Sequence, residues 1–357
     1  MLKTTLKPRL RAVGSKKAVR FAALAFFSFL VISPTQGQTN VNEVSGIAYG
    51  TNYLDLAITN SIESVADGEG SLNIEYAGTT NLTLDHEISG FIVVNNQTTN
   101  FSIAATPDAL VTGSGGPALT AINSTNLSLT GGRYVGTVAT AGDEFPQIPG
   151  ADGTALGGLL RNSKVTIDGS EFTGAAGYAG MVVQSSEVEV TDGTFIGGAG
   201  AAGLFAASNS FVTINSGSFT GFVGVAAVQI ADLTINDGMF NGSDGVAGLL
   251  AISNQTVTIN GGSFSGGEGG VGVLAISNQM VTINGGSFIG GDDAEGLYAE
   301  NSDLITIGNG TFTVPITSKT FQVFGPSFEP FAFMVEAPGA FVCLGLMLCL
   351  MNMLGKK

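Results

Sequence analysis

A segment of about 24 residues keeps returning through the second half of this chain, and it restricts the possible folds more than any other feature. Val257-Thr258-Ile259-Asn260-Gly261-Gly262-Ser263-Phe264 reappears as Val281-Thr282-Ile283-Asn284-Gly285-Gly286-Ser287-Phe288. The phenylalanine that closes each copy falls at Phe172, Phe195, Phe219, Phe240, Phe264, Phe288 and Phe312, at intervals of 23, 24, 21, 24, 24 and 24 residues. A unit of this size cannot bury its own apolar face and must stack on its neighbours, so the period specifies a solenoid.

Within one unit, Val257-Thr258-Ile259 alternates apolar and polar, the period of a strand with one buried face. Val257 and Ile259 are expected inside and Thr258 outside. Asn260-Gly261-Gly262 supplies turn residues that tolerate positive φ, and Phe264 returns to the core, where a third short strand is expected. A glycine turn leads to a second strand, Val273-Leu274-Ala275-Ile276, and Ser277-Asn278 turns into the next unit. Upstream, Leu119-Thr120-Ala121-Ile122 and Leu127 to Tyr134 align with Leu249 to Phe264 without a gap, Tyr134 standing for phenylalanine. Weaker copies begin near Phe101 and Leu82, for about ten coils in all. At roughly 4.8 Å per stacked strand the rod is on the order of 50 Å long. No proline lies between Pro149 and Pro315, as interior strands that need every N–H require. Asn162, Asn209, Asn254 and Asn278, each three residues before its strand, are expected to form one side-chain ladder, with Ser185 and Ser302 in the same place.

The two ends are of a different character. Residues 1–37 carry seven of the 13 basic residues, no acidic residue, and an apolar run from Phe21 to Ser33. That is the layout of a secretory signal peptide ending near Gly37; the run is short for a span, which needs roughly 20 residues. At the other end, Val335-Glu336-Ala337-Pro338-Gly339 precedes an apolar run from Ala340 to Leu354 and a terminal Gly355-Lys356-Lys357. The expected division is a signal peptide at 1–37, an N-terminal cap at 38–80, repeats at 81–314 with a loop insertion near 138–156, a C-terminal cap and linker at 315–338, and a hydrophobic tail at 339–357. Between the two ends, Arg133, Arg161, Lys164 and Lys319 face all 28 acidic residues, a net of about −24. Such a surface repels nucleic acid. Both cysteines, Cys343 and Cys349, lie in the tail at neither a CxxC nor a metal spacing.

The coil pattern resembles the right-handed parallel β-helix (pectin-lyase-like) superfamily, which implies an all-β fold with three strands per coil. The tail resembles the PEP-CTERM sorting signal of Gram-negative bacteria, although Glu336-Ala337-Pro338 keeps only one proline of its box. That resemblance implies processing by a membrane transpeptidase of the exosortase kind, transient membrane contact, and a cell-surface or extracellular address. A plain C-terminal anchor is the alternative.

Many β-helices of this superfamily are polysaccharide lyases or hydrolases, which implies clustered acids, Ca²⁺ and a basic residue. Arg161 and Lys164 flank the strand at Val165 and could face Asp168 and Glu187, with Arg133 one coil earlier. Asp292, Asp293 and Glu295 form the densest acidic group, near Glu300 and Asp303, and suit weak Ca²⁺ binding at most. Paired acids of this kind resemble those of polygalacturonase-type hydrolases, but the histidine and Arg-Ile-Lys segment of those enzymes are missing: His86 is the sole histidine, about nine coils away. Thr166, Thr213, Thr234, Thr258, Thr282 and Thr306 are expected as an outward row interrupted by Glu189. The insertion carries Phe145 and Ile148, apolar residues placed to anchor a partner. The expectation for function is therefore a structural or adhesive exported rod with no catalytic residues and no cofactor; a carbohydrate-active or polysaccharide-binding protein is the alternative.

Overall fold

The computed structural model describes residues 81–138 (97 and 99 excepted), 154–312 (293 excepted), and five short strands outside them, Thr39–Val41, Asp55–Ile58, Leu72–Glu75, Thr317–Ser318 and Gln322–Phe324. All of it is β-structure wound into a right-handed-looking parallel solenoid of about nine to ten coils with a period near 24 residues. Every strand pairing is parallel and links one coil to the next. Val257 lies beside Val281, Phe264 beside Phe288 and Val273 beside Leu297. The 21-residue interval is absorbed without loss of register, since Val212 pairs with Leu233 and Phe219 with Phe240.

Among the described residues, most coils have three strands. In one, Thr256–Ile259 belongs to the first stack, Ser263–Ser265 to the phenylalanine stack, and Val271–Ile276 to a second sheet of 11 strands. The alternation assigned from sequence holds: Val257, Ile259 and Phe264 are fully buried, while Thr258 is half-buried on the outer side. In two coils the first and phenylalanine strands fuse into ten-residue strands, Lys164–Thr173 and Glu187–Ile196. Register shifts around Asp168 take up the turn there. The strands at Asp55–Ile58 and Leu72–Glu75 pair with Asn81–Leu84 and Ile92–Asn95.

Eight stacked rings run through the core. From Tyr134 through Phe172 to Phe312, neighbouring centroids are 4.5–5.5 Å apart and the planes within 16° of parallel. One ring per coil follows from the strand spacing, and such contacts add to burial. Tyr134 puts its hydroxyl where the others have only C–H, and that oxygen is buried without a hydrogen-bond partner.

Glycine marks the tight corners. Gly272 and Gly296 belong to a rank that stands immediately before the first inward residue of the second-sheet strand in the later coils. A Cβ on Gly272 would lie 2.5 Å from the Gly296 carbonyl oxygen and 2.9 Å from the Ile289 nitrogen. The rank is needed because two backbones close on each other there.

The asparagine ladder requires a correction. Asn254 and Asn278 are buried, but Asn162, Ser185 and Asn209 sit in exposed turns at φ of 47°, 49° and 57°. Their inner places are taken by Ser163, Ser186 and Ser210. Backbone N–H groups of Ser124, Ser163 and Ser186 donate to Oγ of Ser163, Ser186 and Ser210 at 3.1, 3.1 and 3.3 Å. Those of Ile230, Asn254 and Asn278 donate to Asn254 Oδ1, Asn278 Oδ1 and Ser302 Oγ at 3.0, 3.0 and 3.3 Å. In most coils the inner residue stands two places after the second-sheet strand, at Ser163 after Arg161 and Asn254 after Ile252. Turn lengths vary beyond it, so counting back from the next strand mixes the inner residue with its left-handed neighbour.

Candidate functional site

The outer face of the first stack is where polar side chains are held in ranks. Thr166, Glu189, Thr213, Thr234, Thr258, Thr282 and Thr306 pair in that order. The expected row exists, and Glu189 interrupts it. Two residues further along, a second rank was missed from sequence. Asn284 donates Nδ2 to Asn260 Oδ1, Asn260 to Asn236 and Asn236 to Asn215, each at 2.8 Å. Asn215 then donates to Glu189 Oε1 at 3.0 Å. Four amides thus point their donors towards one carboxylate, a chain in which each bond reinforces the next. The spacings of 21, 24 and 24 at these asparagines, the same as at the phenylalanines, were the available signal.

Towards the N-terminal coils the same face forms an open furrow of about 460 Å³, lined by Asn81, Asn100, Ser102, Asn126, Ser128, Lys164 and Thr166. It offers amides, hydroxyls and one cation on a sheet floor. These polar residues come from four successive coils, one from the coil of Asn81 and two from each of the others, so along the furrow the groups recur at the strand spacing.

The residues singled out from sequence are dispersed. Lys164 Nζ meets Glu187 Oε1 at 2.7 Å, as expected, with both side chains more than half exposed. Arg133 lies 3.5 Å from Glu171 rather than near Asp168. Arg161 stands on the second sheet and donates Nε to Gln184 Oε1 at 2.8 Å. Exposed pairs of this kind contribute about 0–1 kcal/mol, and the geometry does not bring Arg161 and Lys164 onto one strand face. Asp292 is exposed at a turn closed by Ala294 N–H donating to the Gly291 carbonyl at 3.0 Å. Glu295 is half-buried beyond it. Phe145, Ile148 and Asp293 lie outside the described residues, as do the signal-peptide and tail segments. Among the described residues, no group of three or more His, Cys, Asp or Glu is arranged to hold a metal.

No protein-family model, no curated protein and no solved structure matches this chain.

Proposed function

We propose that this chain is an exported, non-enzymatic rod with a structural or adhesive role at a bacterial surface or in extracellular matrix. The observation that carries the reading is the continuity of the rod. The ring stack runs coil after coil, and the buried Ser/Asn ladder, interrupted at Ile230, and the outer asparagine chain each link several successive coils, which makes a stiff spacer with polar ranks along its side. The leader-like residues 1–37 and the tail at 339–357 support export, with a sorting transpeptidase acting on the tail. The test is intact-mass measurement of native, surface-derived protein. The expected species begins near Gln38 and ends near Pro338; Lys357 retained in most molecules refutes tail processing, and protein found only in the cytoplasm refutes the reading as a whole.

The furrow favours a second reading, polysaccharide binding, because amides and hydroxyls at strand spacing match the hydroxyl groups of an extended glycan. Screening a polysaccharide panel for binding and turnover, with and without Ca²⁺, separates the two. Binding that Asn126→Ala and Lys164→Ala weaken supports the second reading. Turnover lost with Arg161 and Lys164 refutes the non-enzymatic one.

A further inference from the structure

The outer face of the second sheet has a different chemistry from that of the first. Each strand there carries two outward positions in strict register, although Leu159, beside Arg161, is already buried in a cluster with Phe91, Val93, Leu156 and Ala179. One rank reads Arg161, Gln184, Ala207, Val228, Ile252, Ile276, Glu300. Beside it, Phe205, Ala226, Leu250 and Leu274 occupy the middle of the other. Across four consecutive coils, from Phe205 to Ile276, all the outward side chains are therefore hydrocarbon. Apart from Ala226 they are only half-buried, so apolar surface stays in contact with water. A sheet face of this kind is what sheet-on-sheet packing covers.

Charge identifies the occupant. The residues between the two ends carry a net of about −24, so copies of this chain repel one another through most approaches, whereas this face carries no charge across these four coils. Arg161 and Glu300 close it at opposite ends, each three coils from Val228. We propose that two copies pack face to face and antiparallel through the second sheet, with the two-fold axis passing at Val228. This arrangement sets Arg161 of each copy against Glu300 of the other. It opposes Ala207 to Ile252 and Phe205 to Leu250, while Val228 meets itself. A parallel pair would instead place both Arg161 side chains at one level of the stack and both Glu300 at another.

Six steps of about 4.8 Å and a strand width of about 13 Å give a footprint of roughly 400 Å² per copy. Together that is about 800 Å², below the roughly 1,200 Å² at which standard stable interfaces begin. The dimer is accordingly weak and concentration-dependent. The proposal does not depend on export or on adhesion.

The test uses the full-length chain. Sedimentation velocity over a wide concentration range should show reversible dimerisation, and Ile252→Asp should abolish it with an unchanged circular-dichroism spectrum. Arg161→Glu and Glu300→Arg should each weaken it several-fold, and the double exchange should restore it. With Cys343→Ser and Cys349→Ser in place, Val228→Cys should give a disulfide-linked dimer on mild oxidation, and Arg161→Cys alone should not. A monomer at every concentration overturns the proposal. So does a dimer that survives Ile252→Asp, or one that Arg161→Cys traps as readily as Val228→Cys.

Discussion

At the scale of the residue, position within a stack decides what a substitution costs. Phe264 is fully buried between Phe240 and Phe288 at 4.5 and 5.2 Å. Phe264→Ala should lower stability by about 3–5 kcal/mol, against well under half of that for Thr258→Ala on the outer side; equal shifts in denaturant midpoint would contradict the assignment of faces. Tyr134 behaves in the opposite sense. Its hydroxyl is buried without a partner, and leaving such a group unsatisfied costs about 1–3 kcal/mol, so Tyr134→Phe should raise stability by about 1 kcal/mol. Burial also pushes the phenol well above its ordinary value. The unfolded chain ionises near pH 10 while the folded one holds its proton, so stability falls as pH rises past that value. Alkaline titration of the unfolding midpoint should therefore fall less steeply in Tyr134→Phe than in the parent.

Elements are held by backbone approach as much as by side chains, and glycines reveal it. At Gly269, φ is 68° and nothing lies within 4 Å of an added Cβ. Gly269→Ala should cost about 1–2 kcal/mol through conformation alone. Gly272→Ala meets the next coil's carbonyl and should cost at least as much as overpacking, about 1–3 kcal/mol, with loss of native-state rigidity. A Gly272→Ala protein as stable as the parent would show the corner to be looser than the Gly296 carbonyl contact implies. Both glycines read alike in the sequence as turn residues, because what separates them comes from a coil 24 residues away. The strands were legible because Val257, Ile259 and Phe264 repeat at fixed intervals and alternate locally. The inner ladder was legible only where the turn keeps its common length, at Asn254, Asn278 and Ser302. The Lys164–Glu187 pair could be anticipated from adjacent coils. The furrow could not, since Asn81, Asn126 and Thr166 converge only after the irregular interval from Leu127 to Val165 is closed by their pairing.

For the whole molecule, stability is a sum over neighbouring coils. Removing one full period, residues 257–280, brings Val281 onto Leu233 and Phe288 onto Phe240, pairs of the same type as those lost. Such a deletion should leave a cooperatively folded rod with the parent's β-sheet spectrum and a lower denaturant midpoint. Removing half a period should abolish that spectrum. The unit from Val257 to Phe264 is repeated without change from Val281 to Phe288. Near-identical stretches of a gene can misalign during copying, and unequal exchange between these two would add or subtract one whole rung without disturbing the rest. The reach of the rod is thus open to inheritance in discrete increments, one coil at a time.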